Sequence, residues 1–128
     1  MKPLALLVLL ATCSLLQAKR LHPESHYQQY YANLVGGGTE KVLKDRTRCD
    51  IVTDTHAIEV DFADKWAEAI GQSLSYGLQL NRKPAIVLIM EQENDERHFI
   101  RINTIIDHYQ LNIEVFPIRV FKGEGLKK

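Results

Sequence analysis

The chain predicts a mixed α/β fold, a central sheet flanked by helices on both faces, and three observations carry that prediction. Residues 48–62, Arg-Cys-Asp-Ile-Val-Thr-Asp-Thr-His-Ala-Ile-Glu-Val-Asp-Phe, read as two short strands joined by a tight turn. Ala85-Ile-Val-Leu-Ile-Met90 is an unbroken apolar run between turn signals, which is what a strand buried on both faces requires. Residues 64–80 and 95–110 carry apolar positions at helical spacing. A chain of 128 residues, 45% hydrophobic and 25% charged, suffices for one compact domain.

The elements follow in order. Residues 1–18 have the pattern of a signal peptide: Lys2, an apolar run from Leu4 to Ala11, and Ala18 as a cleavage position. That run is shorter than the ~20 residues needed to span a bilayer, so no stable membrane insertion is expected once it is removed. Export to the periplasm or the medium follows from it. Residues 19–38 form a flexible N-terminus with a short helix from about His26 to Leu34, stopped by Gly36-Gly-Gly38. The α/β domain occupies residues 39–121, and residues 122–128 form a basic C-terminal tail.

Within the domain, strands are expected at 40–44, 48–53 and 56–62, and a helix from 64 to 80 with Trp66, Ala69, Ile70, Leu74 and Leu78 as its buried stripe. The buried strand at 85–90 comes next. An amphipathic helix with apolar positions at Phe99, Ile102, Ile105, Ile106 and Tyr109 then leads to a last strand near the sheet edge, where Pro117 belongs. A strand–helix–strand passage of this kind makes a parallel crossover.

Acidic residues inside strands are disfavoured by propensity and by desolvation, so Asp50, Glu59 and Asp61 ask for a reason. If Asp54-Thr55 is a two-residue hairpin loop, partners have numbers summing to 109 and Asp50 stands opposite Glu59. Glu59 and Asp61 share a face because side chains alternate. Three carboxylates then converge, and their repulsion prepares a site for a hard divalent cation. Lys65, Glu68 and Gln72 share a stripe of the following helix, so Lys65 can reach back over the acids and stabilise negative charge on a phosphoryl group. The bland alternative is a solvated sheet face with ordinary ion pairs.

In these residues the chain resembles the PD-(D/E)XK nuclease superfamily, in particular restriction-endonuclease-like and Holliday-junction-resolvase-like domains. The motif spans residues 48–72, with Asp50, Ala57-Ile-Glu59-Val-Asp61 and Glu68-Ala-Ile-Gly-Gln72. The resemblance implies a restriction-endonuclease-like core, Mg²⁺ or Mn²⁺ held by Asp50 and Glu59, and a helix glutamine, Gln72, beside them. It implies hydrolysis of nucleic-acid phosphodiesters, DNA before RNA, and homodimers are common among similar proteins. Glu40 matches an acidic residue found upstream of the first strand. The lysine of the pattern is replaced by Asp61. Either Lys65 supplies the missing ammonium and Asp61 becomes a third ligand, or the chain is a catalytically inactive binding module of the cell envelope.

The formal net charge is +0, and loss of Lys2 with the leader leaves about −1, which does not favour avid nonspecific DNA binding. The basic residues are grouped, however, at Lys41, Lys44, Arg46 and Arg48 and again at Arg97 and Arg101. Cys13 falls in the leader, leaving Cys49 as a single core thiol expected to face away from the acids. His56 is read as a solvated turn residue.

Overall fold

A computed structural model describes residues 19–121; residues 1–18, expected to be a signal peptide, and the expected tail at 122–128 lie outside the described residues. The elements are α1 (Glu24–Val35), β1 (Gly38–Val42), β2 (Arg48–Val52), β3 (His56–Phe62), α2 (Trp66–Leu80), β4 (Lys83–Met90), α3 (Glu96–Tyr109) and β5 (Glu114–Arg119). They build one five-stranded sheet in the order β1-β2-β3-β4-β5. The first two pairings are antiparallel and the last two parallel, as a hairpin leading into a crossover demands.

The strands at 48–52, 56–62 and 83–90 fall where the sequence puts them, whereas β1 begins two residues early, at Gly38, and ends at Val42 rather than residue 44. β4 is buried at all six positions from Ala85 to Met90, because helices cover both of its faces. On one face, Tyr27 and Ala32 of α1 pack on Ile51, Ile58, Val60, Val87 and Ile89. On the other, Ala69 of α2 and Ile102 and Ile106 of α3 pack on Ile86, Leu88 and Met90. Fully burying one such side chain is worth about 1.5–3 kcal/mol, so these two layers supply most of the driving force. β5 forms one edge and carries Pro117 there.

Two expectations about α2 are corrected. A 3₁₀ turn at Ala63–Lys65 precedes the helix, which begins at Trp66. The buried face is Ala69, Ser73, Tyr76 and Gly77, while Leu74 is 38% and Leu78 84% exposed. The inward face is narrow because Gly77 sits against the Arg82 carbonyl and the Pro84 ring, where a Cβ would come within 2.9 Å of that oxygen. Small residues let α2 lie close to β4, and the leucines are turned outward.

β1 and β2 pair in register from Gly38↔Val52 to Val42↔Arg48. Glu40, in the middle of β1, has φ of 55°, a left-handed conformation that L residues enter at a cost. Every residue of β1 is exposed, and it forms the second edge of the sheet.

Candidate functional site: a buried acidic cluster on strands β2 and β3

The hairpin has the expected two-residue loop: the Thr53 N–H donates to the His56 carbonyl at 3.0 Å, enclosing Asp54 and Thr55. The register Ile51↔Ile58 and Val52↔Ala57 sums to 109, which sets Asp50 across from Glu59. The paired ladder stops there. The Val60 N–H donates to the Asp50 carboxylate Oδ2 at 2.7 Å, so a side chain takes over where the backbone ladder ends. The cost of that local opening is offset by a charge-assisted hydrogen bond. The two strands part at the point where the acids lie.

Alternation also breaks at Asp50. Cys49 packs with Ala57 and Tyr76, whereas Ile51, two residues on, packs with Ile58 and Val60 in the opposite layer. Cys49 is thus the buried core thiol expected, but on the face that Ala57, Glu59 and Asp61 share, not the face away from the acids. Burial holds its pKa up, to about 11, with Asp50 and Glu59 adding to the shift.

Glu59 and Asp61 are each 5% exposed, in β3. Burial pushes the Glu59 carboxyl far above the ordinary range, and repulsion from Asp50, Asp61 and Glu24 adds to it. Asp50 is raised as well, again chiefly by burial. The two face each other closely enough to share a proton. Asp61 rises to about 7 through burial and the nearby charge of Glu24, partly opposed by Lys65 and by the hydrogen bond it accepts from the Phe62 N–H at 2.9 Å. The second Glu59 oxygen, Oε2, is buried with no hydrogen-bond partner. An uncompensated buried carboxyl oxygen costs about 1–3 kcal/mol.

Sequence reasoning missed one member. Glu24, in the first turn of α1, reaches Asp61, and its pKa is raised by burial and by the charges of Asp50 and Glu40, partly opposed by Lys65 and by its hydrogen bond with Asp61. It lies outside the motif, and only the packing of α1 against the sheet brings it in. Glu40 is brought close too: Gln28 of α1 donates to Glu40 Oε1 at 3.0 Å and to the Asp50 carbonyl at 3.2 Å. Lys65 stands at the N-terminus of α2, exposed, and its charge lowers the pKa of both Glu24 and Asp61. Glu68 is near enough to raise Asp61. Gln72 is exposed, one turn beyond Glu68, and is not among the partners that shift these acids.

The donor set suits a hard divalent cation: four carboxylates, no sulfur or imidazole, and one buried oxygen without a partner. Among the described residues no three such side chains already close on one point as a cage. The arrangement is an acid pair, Asp50 and Glu59, with Asp61 and Glu24 alongside.

A groove of about 750 Å³ lies elsewhere, at the start of β3 and the end of α1, lined by residues including Tyr31, His56, Arg82 and Phe116. Here His56 is not the solvated turn residue expected. Its Nδ1 meets Thr55 Oγ1 at 2.7 Å and its Nε2 meets Glu114 Oε2 at 3.2 Å. Lys83 takes the other Glu114 oxygen. Hydroxyl, imidazole and carboxylate are in line, but the Thr55 N–H turns back to Thr53 Oγ1, away from any developing oxyanion. The cluster reads as a clasp joining the first residues of β3, β4 and β5.

Fold and site together define a mixed α/β domain with a buried acidic centre where two antiparallel strands part. Compared with known proteins, the chain matches no family model, no curated protein and no solved structure.

Proposed function

We propose that the acidic centre is a divalent-metal site for hydrolysing nucleic-acid phosphodiesters, with the sheet and helices arranged as a restriction-endonuclease-like core. The observation that carries this reading is the buried, partnerless Glu59 Oε2 beside three further carboxylates, with one ammonium, Lys65, at the rim. A cluster of that charge is costly in the folded chain alone, and a cation removes the cost. The order of elements supports the reading: a hairpin whose second strand holds the acids, then a helix, then parallel strands.

Asp50, Glu59 and Asp61 would hold Mg²⁺ or Mn²⁺, and Glu24 stands close enough to replace one of them. Bound there, the metal would polarise the scissile phosphate and lower the pKa of a coordinated water. Lys65, exposed and next to Asp61, is placed to meet the negative charge that develops on the phosphoryl oxygens. It stands where the strand lysine of the resembled pattern is lacking. Gln72 remains a candidate for contact with the substrate backbone from the outer face of α2. Nucleic acid, DNA first, is the substrate class, and an exported protein would meet it outside the cytoplasm.

The test is cleavage of labelled linear, circular and branched DNA with Mg²⁺, Mn²⁺ or EDTA, beside Asp50→Ala. Metal-dependent cleavage that the substitution abolishes is expected. Cleavage unchanged in Asp50→Ala rejects the site. Binding without cleavage on every substrate assigns the chain to the inactive binding module.

A further inference from the structure

The two faces of the sheet are covered unequally. Helices α2 and α3 pack on one face, and α1 alone packs on the other. A helix is about 10–12 Å across and neighbouring strands lie about 4.8 Å apart, so one helix does not roof five strands. The space left beside the C-terminal end of α1 is the groove of about 750 Å³. That volume falls in the range of small-molecule sites, roughly 300–1,000 Å³. The clasp of His56 and Glu114 stands at its edge and uses neither its aromatic wall nor its cation.

The wall is formed by Tyr31 of α1 and Phe116 of β5. Both are half-buried, with ring centroids 5.9 Å apart and planes inclined at 32°. Rings held in this way accept a further planar ring by offset stacking. Burial and the Glu114 charge raise the Tyr31 pKa, so its hydroxyl keeps its proton and can donate.

The mouth supplies charge. Arg82 is exposed, and its guanidinium is held by carbonyls: Nε donates to Thr53 O at 3.3 Å, and Nη1 to the Leu80 and Asn81 oxygens at 3.4 Å. Among the described residues no carboxylate lies within ion-pair distance of it. Those bonds orient the cation without neutralising it, and they leave Nη2 with both N–H groups for an oxyanion. Asp54, the carboxylate in the lining, is exposed in the hairpin loop and leaves Arg82 unpaired.

Phe116 stands level with Val87 of β4, four residues beyond Lys83, which is roughly 13 Å along the strand. The side chains shorten that gap, so a ring on the wall and an anion at the mouth belong to one molecule with several atoms between them. We propose that this groove binds a small aromatic oxyanion, its planar ring seated on Tyr31 and Phe116 and its phosphate or carboxylate held by Arg82. The groove lies at the start of β3, whereas Asp61 is near its end, and the inference does not depend on the chemistry of the acidic centre.

The experiment follows the amide chemical shifts of the isotope-labelled full chain in EDTA. It is titrated with adenosine 5′-monophosphate and, separately, with indole-3-propionate. At least one probe should move the amides of residues 53–56 and 82 saturably, with Kd on the order of 0.1 mM, and leave those of Asp50 and Glu59 in place. The tighter probe names the oxyanion. Its two halves, adenosine and ribose 5-phosphate or 3-methylindole and propionate, should each bind at least about 10-fold more weakly. Arg82→Ala should weaken binding about 10-fold or more. Phe116→Leu, which keeps the apolar bulk, should weaken it about 2–10-fold. Both variants should melt close to the parent. No saturable shift with either probe at about 10 mM overturns the proposal. So does a half that binds as tightly as the whole probe, or an affinity unchanged in Arg82→Ala.

Discussion

Glu59 shows how burial favours the neutral form of a carboxyl when no cation is bound. Buried and facing Asp50, it keeps its proton well above the ordinary carboxylate range. The Glu59→Gln amide can donate to Asp50 as the protonated carboxyl does. Its stability at pH 7 without metal should lie within ~0.5 kcal/mol of the parent, while any rise in melting temperature with Mg²⁺ disappears. A large loss of stability in the melt would mean that Glu59 is ionised in the fold. At Lys65 the expectation is kinetic. Lys65→Ala should lower kcat by about 10²-fold and leave the metal concentration for half activity nearly unchanged. Equal turnover would show that the ammonium takes no part in the reaction.

At the scale of the element, the two glycines of α2 make opposite predictions. Gly71→Ala meets no atom and should stabilise the fold by about 0.5–1 kcal/mol. Gly77→Ala places a methyl 2.9 Å from a backbone oxygen and should destabilise it by about 1–3 kcal/mol. Denaturant unfolding of the pair decides both. The same helix shows what the sequence could and could not say. The hairpin, its two-residue loop and the register placing Asp50 across from Glu59 were legible, because turn length and period-two alternation fix them. The inward face of α2 was not. Apolar periodicity pointed to Leu74 and Leu78, but the close approach of Pro84 selected small residues for the core. Glu24 was illegible for a related reason: nothing in local sequence tells which end of α1 packs against the acids.

For the molecule as a whole, the acidic centre tilts stability toward low pH. Asp61 has a folded pKa of about 7 against 3.8, and Asp50, Glu59 and Glu24 are raised too. The folded state binds these protons more tightly than the unfolded one. Their contribution is therefore full below about pH 4 and is lost as pH rises through 7. Asp45, Glu96 and Glu114 are lowered by their hydrogen bonds and act in the opposite sense below pH 4. Melting temperature should be higher at pH 5.5 than at pH 8.5, and Asp61→Asn should flatten that slope. Mg²⁺ should recover stability at pH 8.5, and a melt indifferent to both pH and metal would contradict the electrostatics of the site.

The left-handed turn of the chain at Glu40 has a consequence at the sheet's margin. A free edge strand is a template on which another chain can add, strand upon strand, into a fibre. In β1 the kink at Glu40 and the charges of Glu40 and Lys41 interrupt the flat row of donors and acceptors that such growth needs. Opposite it, Pro117 removes a donor from β5. Both margins are thereby poor seeds for polymerisation.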